Sequence, residues 1–381
     1  MRPRHLVDTT LFYSPTSGGV RRYLNAKHAW LAGQPGWRHT LVVPGHSSVR
    51  GADGVCTLAG VPVPGSFNYR LPLRPRRWLR LIDSLAPDLI EAGDAFHPAW
   101  AAWRVARRRG IPCAAFCHSN LPMIVGRRFG GRIAQRLVEH YVRWLYERFD
   151  VVFAPSRLVL EFLHCRGIQH AVHQPLGVDA EIFHPRRRGE WLRGRLGLAA
   201  HSRVLVYAGR FSDEKNVPVL LRAFARLGHP YHLLMIGGGR AGRLADNVTL
   251  LPYRRDSVEL AHWLASADAL VHAGTSETFG LVILEAMACG RPVVAARAGA
   301  VPELIDERVG QLSEPGSAAS LAAAIAALYE RDLAAVGASA RVRVVRQYTW
   351  QKVFQAQMTV YHSLLAGETL PARAEQIAEA G

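Results

Sequence analysis

The amino-acid sequence predicts an α/β protein made of two doubly wound, largely parallel sheets, and three observations carry that prediction. The chain has 381 residues, more than a single hydrophobic core ordinarily organises. Strand-like and helix-like segments alternate almost throughout, the pattern of parallel sheets covered by helices on both faces. The alternation breaks once, around residues 174–188, into a connector bearing Pro and Arg, after which a second alternating series begins.

In chain order, Leu6 and Val7 form the first strand candidate, leading into a loop and a helical pattern over 20–31. Strands follow at 40–43, 88–91, 112–117 and 151–154, with helical stretches at 99–109, 131–149 and 157–166. The second series reads as strands at 204–207, 232–236, 248–250, 269–272 and 293–295, and helices at 217–227, 258–266 and 281–288. The domains divide as 1–184 and 185–349, followed by a last helix over 350–366 and a polar, Ala-rich loose tail over 367–381. Sheets of this kind bind ligands at the carboxyl ends of their strands.

Hydrophobic residues make up 49% of the chain and charged ones 20%, a globular composition rather than a disordered one. Apolar runs are short and broken by Arg, Gly or Pro, so no segment reads as a bilayer-spanning helix. The basic start Met1-Arg-Pro-Arg-His5 is followed by no apolar core of signal-peptide length. The expectation is a soluble cytoplasmic protein. Cys56, Cys113, Cys117, Cys165 and Cys289 are odd in number and show no Cys-x-x-Cys pair or zinc-ligand spacing, which predicts reduced thiols. The net charge of +17 points to an anionic partner: phosphate groups, an anionic membrane face or nucleic acid. Lys27, Lys215 and Lys352 are the only lysines, so a GC-rich coding bias toward Arg competes as the cause of the excess.

Four motifs carry chemistry. Tyr207-Ala-Gly-Arg-Phe-Ser-Asp-Glu-Lys-Asn216 reads as a strand end, a turn at Gly209 and the start of a helix, with Arg210 and Lys215 five residues apart. A diphosphate needs cations converging from two directions, and a Gly turn lets the backbone approach it. An ordinary loop with two surface cations has the same appearance. In Gly274-Thr-Ser-Glu-Thr-Phe-Gly-Leu-Val-Ile-Leu-Glu-Ala-Met-Ala-Cys-Gly290, Glu277 falls in the loop after a strand. A helix starting near Gly280 presents free N–H groups and a positive dipole end, an anion site. Glu285, one to two turns further on, is placed to accept hydrogen bonds from ribose hydroxyls. A mid-helix Glu facing solvent is the competing reading, weakened by its apolar neighbours Val282, Ile283, Leu284, Met287 and Ala288. Gly18 and Gly19 make a turn that opens a helix after the first strand, and His118 follows a strand at a loop position. Each of these two is weak alone. No Asp-x-Asp occurs, so a metal-bridged diphosphate of that kind is unsupported and Arg210, Lys215 and the helix N-terminus are left to offset the leaving-group charge.

Over nearly its whole length the chain resembles the retaining GT-B glycosyltransferases of family 4, whose two Rossmann-like domains face each other across a cleft. The Glu-x7-Glu element from Glu277 to Glu285 is the most specific part of the match. Gly209-Arg210 with Lys215, the Gly18-Gly19 loop, His118 and Pro175-Leu-Gly-Val-Asp179-Ala-Glu-Ile-Phe-His-Pro185 follow in order. The chain looks particularly like the bacterial, mannosyltransferase-like members. The resemblance implies an acceptor-side first domain, a nucleotide-sugar-binding second domain and a last helix that crosses back onto the first. It implies that Arg210 and Lys215 bind the diphosphate and stabilise its departure, and that Glu277 contacts donor-sugar hydroxyls. Backbone around Phe279, Gly280 and Leu281 would touch phosphate or sugar, and Glu285 would hold the ribose. Gly19 would close over the diphosphate, and His118 would lie beside the transferred sugar. Base selection in this fold relies largely on backbone, here near Tyr253 and Arg254. No cofactor and no metal are expected, and no protein nucleophile is named.

The implied reaction is hexose transfer, mannose being one candidate, from a nucleotide-diphosphate sugar to a lipid-linked or cell-envelope glycan acceptor. Arg128, Arg132 and Arg136 recur every four residues within a basic stretch, beside an apolar stripe of Ile133, Leu137, Tyr141, Trp144 and Leu145. A basic amphipathic helix over 131–149 fits an anionic membrane surface, although packing of the apolar stripe into its own domain competes. The alternatives are a sugar-phosphate synthase or phosphorylase of the same fold, or a basic nucleic-acid- or membrane-binding protein without catalysis. The chain contains no recognised nucleic-acid module, so no nucleic acid is expected.

Overall fold

Short, wholly apolar runs such as Val151–Ala154 are buried as strands covered on both faces. The structure, a computed structural model, describes residues 2–14, 18–64, 68–119, 121 and 131–368. The chain divides into two compact units, Met1–Pro175 with Val353–Gly381, and Leu176–Lys352.

The first unit runs β1 (Arg4–Thr9), α1 (Gly19–Ala32), β2 (Trp37–Gly45), β3 (Val49–Arg50), β4 (Val55–Ala59), β5 (Val61–Pro62), β6 (Arg70–Leu71), α2 (Pro75–Ser84), β7 (Leu89–Ala92), α3 (His97–Arg109), β8 (Cys113–Phe116), α4 (Gly131–Tyr146), β9 (Val151–Ala154), α5 (Arg157–His164) and β10 (Ala171–His173). Its eight-stranded sheet has the order β10-β9-β8-β7-β1-β2-β4-β3, parallel except where β3 pairs with β4. Side chains alternate between faces along each strand. Val7, Ile90, Ala115 and Val152 share one core with Trp78, Val105, Val142 and Leu163 of α2, α3, α4 and α5. The other face carries Phe116, packed on Tyr23 of α1 at 5.0 Å between ring centroids.

The second unit contains α6 (Trp191–Arg195), β11 (Arg203–Ala208), α7 (Val217–Leu227), β12 (Tyr231–Ile236), β13 (Gly242–Ala245), β14 (Val248–Leu251), α8 (Ser257–Ser266), β15 (Ala269–His272), α9 (Leu281–Ala288), β16 (Val293–Ala296), α10 (Val301–Leu304), β17 (Gly310–Ser313), α11 (Ala318–Tyr329) and α12 (Leu333–Gln347), and α13 (Trp350–Ala366) follows. Its seven-stranded sheet has the order β13-β14-β12-β11-β15-β16-β17, with β13 alone antiparallel to its neighbour.

The units divide after Pro175 rather than after residue 184. The intervening stretch is held by the second unit: Val178 bridges to Thr349, and Arg341 Nη1 donates to the Phe183 carbonyl at 3.2 Å. The helix expected over 131–149 ends at Tyr146. Of the expected tail, 369–381 lie outside the described residues. No helix among the described residues is long and apolar enough to cross a membrane.

A buried polar cluster joins α13 to the sheet of the first unit. Lys27 Nζ reaches Asp8 at 2.9 Å, Glu91 at 2.9 Å and the Tyr361 hydroxyl at 2.7 Å. Gln357 Nε2 donates to Glu91 Oε2 at 3.0 Å, and His39 Nε2 pairs with Asp8 Oδ2 at 2.9 Å. Burial alone would raise the Asp8 carboxyl, but Lys27 and His39 beside it hold it below its ordinary range.

Candidate donor site at the switch point of the second unit

In the second unit β11 lies between β12 and β15. The chain order reverses there, so the loops leaving β11 and β15 part and open a crevice at the carboxyl ends. Gly209, Arg210 and Lys215 lie on the first loop, and Glu277 lies on the second. Asn216, in the left-handed region at φ 50, ties the two together. Its Nδ2 donates to the Ala273 carbonyl at 3.1 Å, and Thr275 N donates to the Glu214 carbonyl at 3.1 Å. Lys215 sits on a single 3-10 turn, Asp213–Lys215, rather than inside the α-helix.

Lys215 Nζ donates to Glu277 Oε1, and His272 Nε2 meets the same oxygen at 2.9 Å. Burial of Glu277 would raise its carboxyl, but the Lys215 ammonium and the His272 imidazole outweigh that and hold it far below the ordinary carboxylate range. Ala300 N donates to the Glu277 carbonyl at 2.9 Å. Gly299 is required beside it, with φ +57 and room for a Cβ only 2.5 Å from the Glu277 oxygen. Arg210 is partly exposed, its Nη2 3.8 Å from Glu214 Oε1, and Tyr207 OH donates to its carbonyl at 2.6 Å.

Gly280, at φ +103, precedes α9, whose N-terminus has no side-chain cap. The Phe279 side chain is buried and packs edge-on against Tyr348 at 6.2 Å, so only its backbone remains to meet a ligand. Leu281 opens the helix. Glu285 is 2% exposed, which removes the reading of a solvated mid-helix carboxylate. Tyr253 and Arg254 follow β14, two strands from β11 in the sheet order, and Arg254 Nη1 pairs with Glu259 Oε1 at 3.1 Å.

Two participants carry no mark in the sequence analysis. His272 becomes a partner of Glu277 only when the β15 loop turns back on itself. Gly237, at φ +150, follows β12, and a Cβ there would lie 1.7 Å from the Gly209 carbonyl oxygen. The run Gly237-Gly238-Gly239 was the available signal.

In the first unit β1 is the corresponding reversal, flanked by β2 and β7. Gly18 precedes α1, and a Cβ there would meet nothing within 4 Å. Gly19 is the first residue of α1. His118 follows β8 and is buried, stacked on Phe116 at 4.0 Å and edge-on to Tyr23 at 5.1 Å. Burial, and then the Lys27 ammonium, push its imidazole down to about 3.

Two doubly wound units, with paired cations and a buried carboxylate at the switch point of the second, define a GT-B glycosyltransferase. A profile described as Glycosyltransferase Family 4 matches residues 17–182, and one described as Glycosyl transferases group 1 matches residues 202–331. The chain is 30% identical over 322 residues to a GDP-mannose-dependent alpha-(1-6)-phosphatidylinositol dimannoside mannosyltransferase of Mycobacterium tuberculosis, covering 81% of this chain and 84% of that one. It is 35% identical over 316 residues to D-inositol 3-phosphate glycosyltransferase 1 of Catenulispora acidiphila, covering 74% of each. Among solved structures, sucrose-phosphate synthase from Thermosynechococcus elongatus superposes with a TM-score of 0.80 at 21% identity, covering 96% of this chain and all of that one. The chain belongs to glycosyltransferase family 4.

Proposed function

We propose that the protein transfers mannose from GDP-mannose, with retention of configuration and without a metal, to a lipid-linked or cell-envelope glycan acceptor. The observation that carries the donor half is the Lys215–Glu277–His272 cluster at the β11/β15 switch point, beside the uncapped start of α9. Lys215 and Arg210 offset the charge that develops on the departing diphosphate, joined by the N–H groups of the first turn of α9. Glu277, kept ionised, accepts hydrogen bonds from donor-sugar hydroxyls, and Glu285 takes the ribose. Gly18 and Gly19 present backbone to the diphosphate. His118, uncharged, lies beside the transferred sugar, and Tyr253 and Arg254 border the base. Catalysis is then positioning and charge stabilisation.

The mannosyl choice draws on the relatives whose names specify GDP-mannose. The acceptor half draws on the phosphatidylinositol dimannoside in one of those names and on the surface of α4. There Tyr141, Trp144 and Leu145 pack into the domain, as the competing reading had it, while Ile133 and Leu137, each next to an exposed arginine (Arg132 and Arg136), are 75% and 68% exposed. Arg128 lies outside the described residues. Apolar side chains set among arginines suit peripheral attachment to an anionic bilayer on the cytoplasmic side. Purified protein should hydrolyse GDP-mannose faster than UDP- or ADP-sugars, with and without EDTA. A preference for another base, or loss of activity with EDTA, would overturn the corresponding part.

A further inference from the structure

His272 closes β15 with its side chain buried, and burying an imidazole is costly unless its nitrogens find partners. Only one of them does. Nε2 donates to Glu277 Oε1 at 2.9 Å, since a carboxylate oxygen can only accept. Nδ1 is buried and meets no hydrogen-bond partner among the described residues. Glu277 is therefore the one polar group that this ring serves.

Its surroundings fix the ring. It lies parallel to Tyr207, with 5° between the planes and 6.3 Å between centroids, and the Tyr207 hydroxyl donates in turn to the Arg210 carbonyl. Gly274 leaves the donating nitrogen its room: a Cβ there would stand 2.7 Å from His272 Nε2 and push it off the carboxylate.

Glu277 thus receives both of its side-chain donors, Lys215 and His272, on Oε1. No group among the described residues donates to Oε2, and the side chain keeps 14% exposure. The two donors differ in what else they do. In the proposed function Lys215 also faces the diphosphate, and its ammonium sits on a flexible four-carbon stem. His272 has no second task. A carboxylate held by the lysine alone would turn as charge grew on the diphosphate, whereas one held by a fixed ring keeps its place.

We propose that His272 is a positioning residue for sugar transfer: it pins Oε1 of Glu277 so that Oε2 is presented to a hydroxyl of the donor sugar. The inference deepens the proposed donor site and rests on that reading.

Gln and Met are of similar length and only Gln donates, so the two substitutions isolate the hydrogen bond. His272→Met should lower kcat/KM for GDP-mannose hydrolysis by the full chain at least about tenfold, the weight of a hydrogen bond to a charged group. His272→Gln should recover most of that loss. Calorimetric affinity for GDP, which has no sugar to position, should stay within about twofold of wild type in both. In a Glu277→Ala background the His272→Met change should alter kcat/KM no further, because its effect runs through the carboxylate. Equal kcat/KM in the Gln and Met variants would overturn the proposal. So would GDP affinity that falls together with kcat/KM, or full additivity of His272→Met with Glu277→Ala. A wild type that hydrolyses UDP-glucose and leaves GDP-mannose intact would sink the mannosyl reading instead; the same two variants are then compared on UDP-glucose, with UDP as the sugar-free control.

Discussion

Lys215 and Glu277 are each other's counter-ion at the switch point, so neither can be changed without leaving the other partly buried and unbalanced. Lys215→Ala should depress turnover of GDP-mannose by about 10²–10³-fold, the effect of removing one preorganised charge-stabilising donor. Steady-state kinetics with unchanged KM for donor is the expected pattern; unchanged kcat would remove Lys215 from the site. The pH dependence follows from two downward shifts, one that keeps a carboxylate charged and one that keeps an imidazole neutral. Glu277 is held below its ordinary range, so its ion pair persists above the usual carboxylate pKa and fails only as pH falls through the depressed value. His118, at about 3, stays uncharged across the same interval. The kcat profile should therefore be free of a His118 limb between pH 5 and 8. A limb in that range that His118→Asn abolishes would contradict the assignment. The placement of Arg210, Lys215 and Glu277 on the loops after β11 and β15, and the burial of Glu285, were legible because charge placed after strands or amid apolar residues stands out. His272 was not, since its meeting with Glu277 depends on loop curvature that no periodicity encodes.

At the scale of elements, the buried parallel strands were readable because both faces are covered and their apolar runs are unbroken, as in β9 and β16. The strands β3, β5, β6 and β13 were not, because they are short and exposed, and β17 carries Gly, Gln and Ser. What fits the loops of the candidate site together is equally hard to read: two glycines whose missing Cβ atoms leave room for a neighbouring backbone. Gly237→Ala would drive a methyl into the Gly209 carbonyl, and Gly299→Ala into that of Glu277. Each should weaken GDP binding by at least about tenfold, the loop having to move at a cost of more than about 1.4 kcal/mol. Titration calorimetry checks this, and wild-type affinity in either variant would show that the loops tolerate displacement. Glu285→Ala should weaken binding as well, without the loop having moved.

Across the whole molecule, the feature with the widest consequence is the burial of uncharged or closely paired groups in the first unit. Lys27 holds Asp8, Glu91 and, through Tyr361, α13. Lys27→Met should cost about 3–5 kcal/mol in urea unfolding, because two carboxylates lose their shared cation. Tyr361→Phe removes one hydroxyl from the cluster and should cost about 1–2 kcal/mol. Acid acts on the same unit. Burial and Arg38 push His5 down to about 4, burial and Arg157 do the same to His173, and His118 lies lower still. A histidine with a folded pKa below its unfolded value contributes full stability above about 6.5 and loses it as pH falls from there toward the folded value, because the unfolded chain binds the proton first. The second unit contains one such shift to about 4, at His232, caused by burial and Arg243. Calorimetry at pH 7.5 and pH 5 should therefore show the first unit's transition moving to lower temperature by more than the second's. Equal displacement of the two, or none, would mean that these imidazoles are solvated in the folded protein.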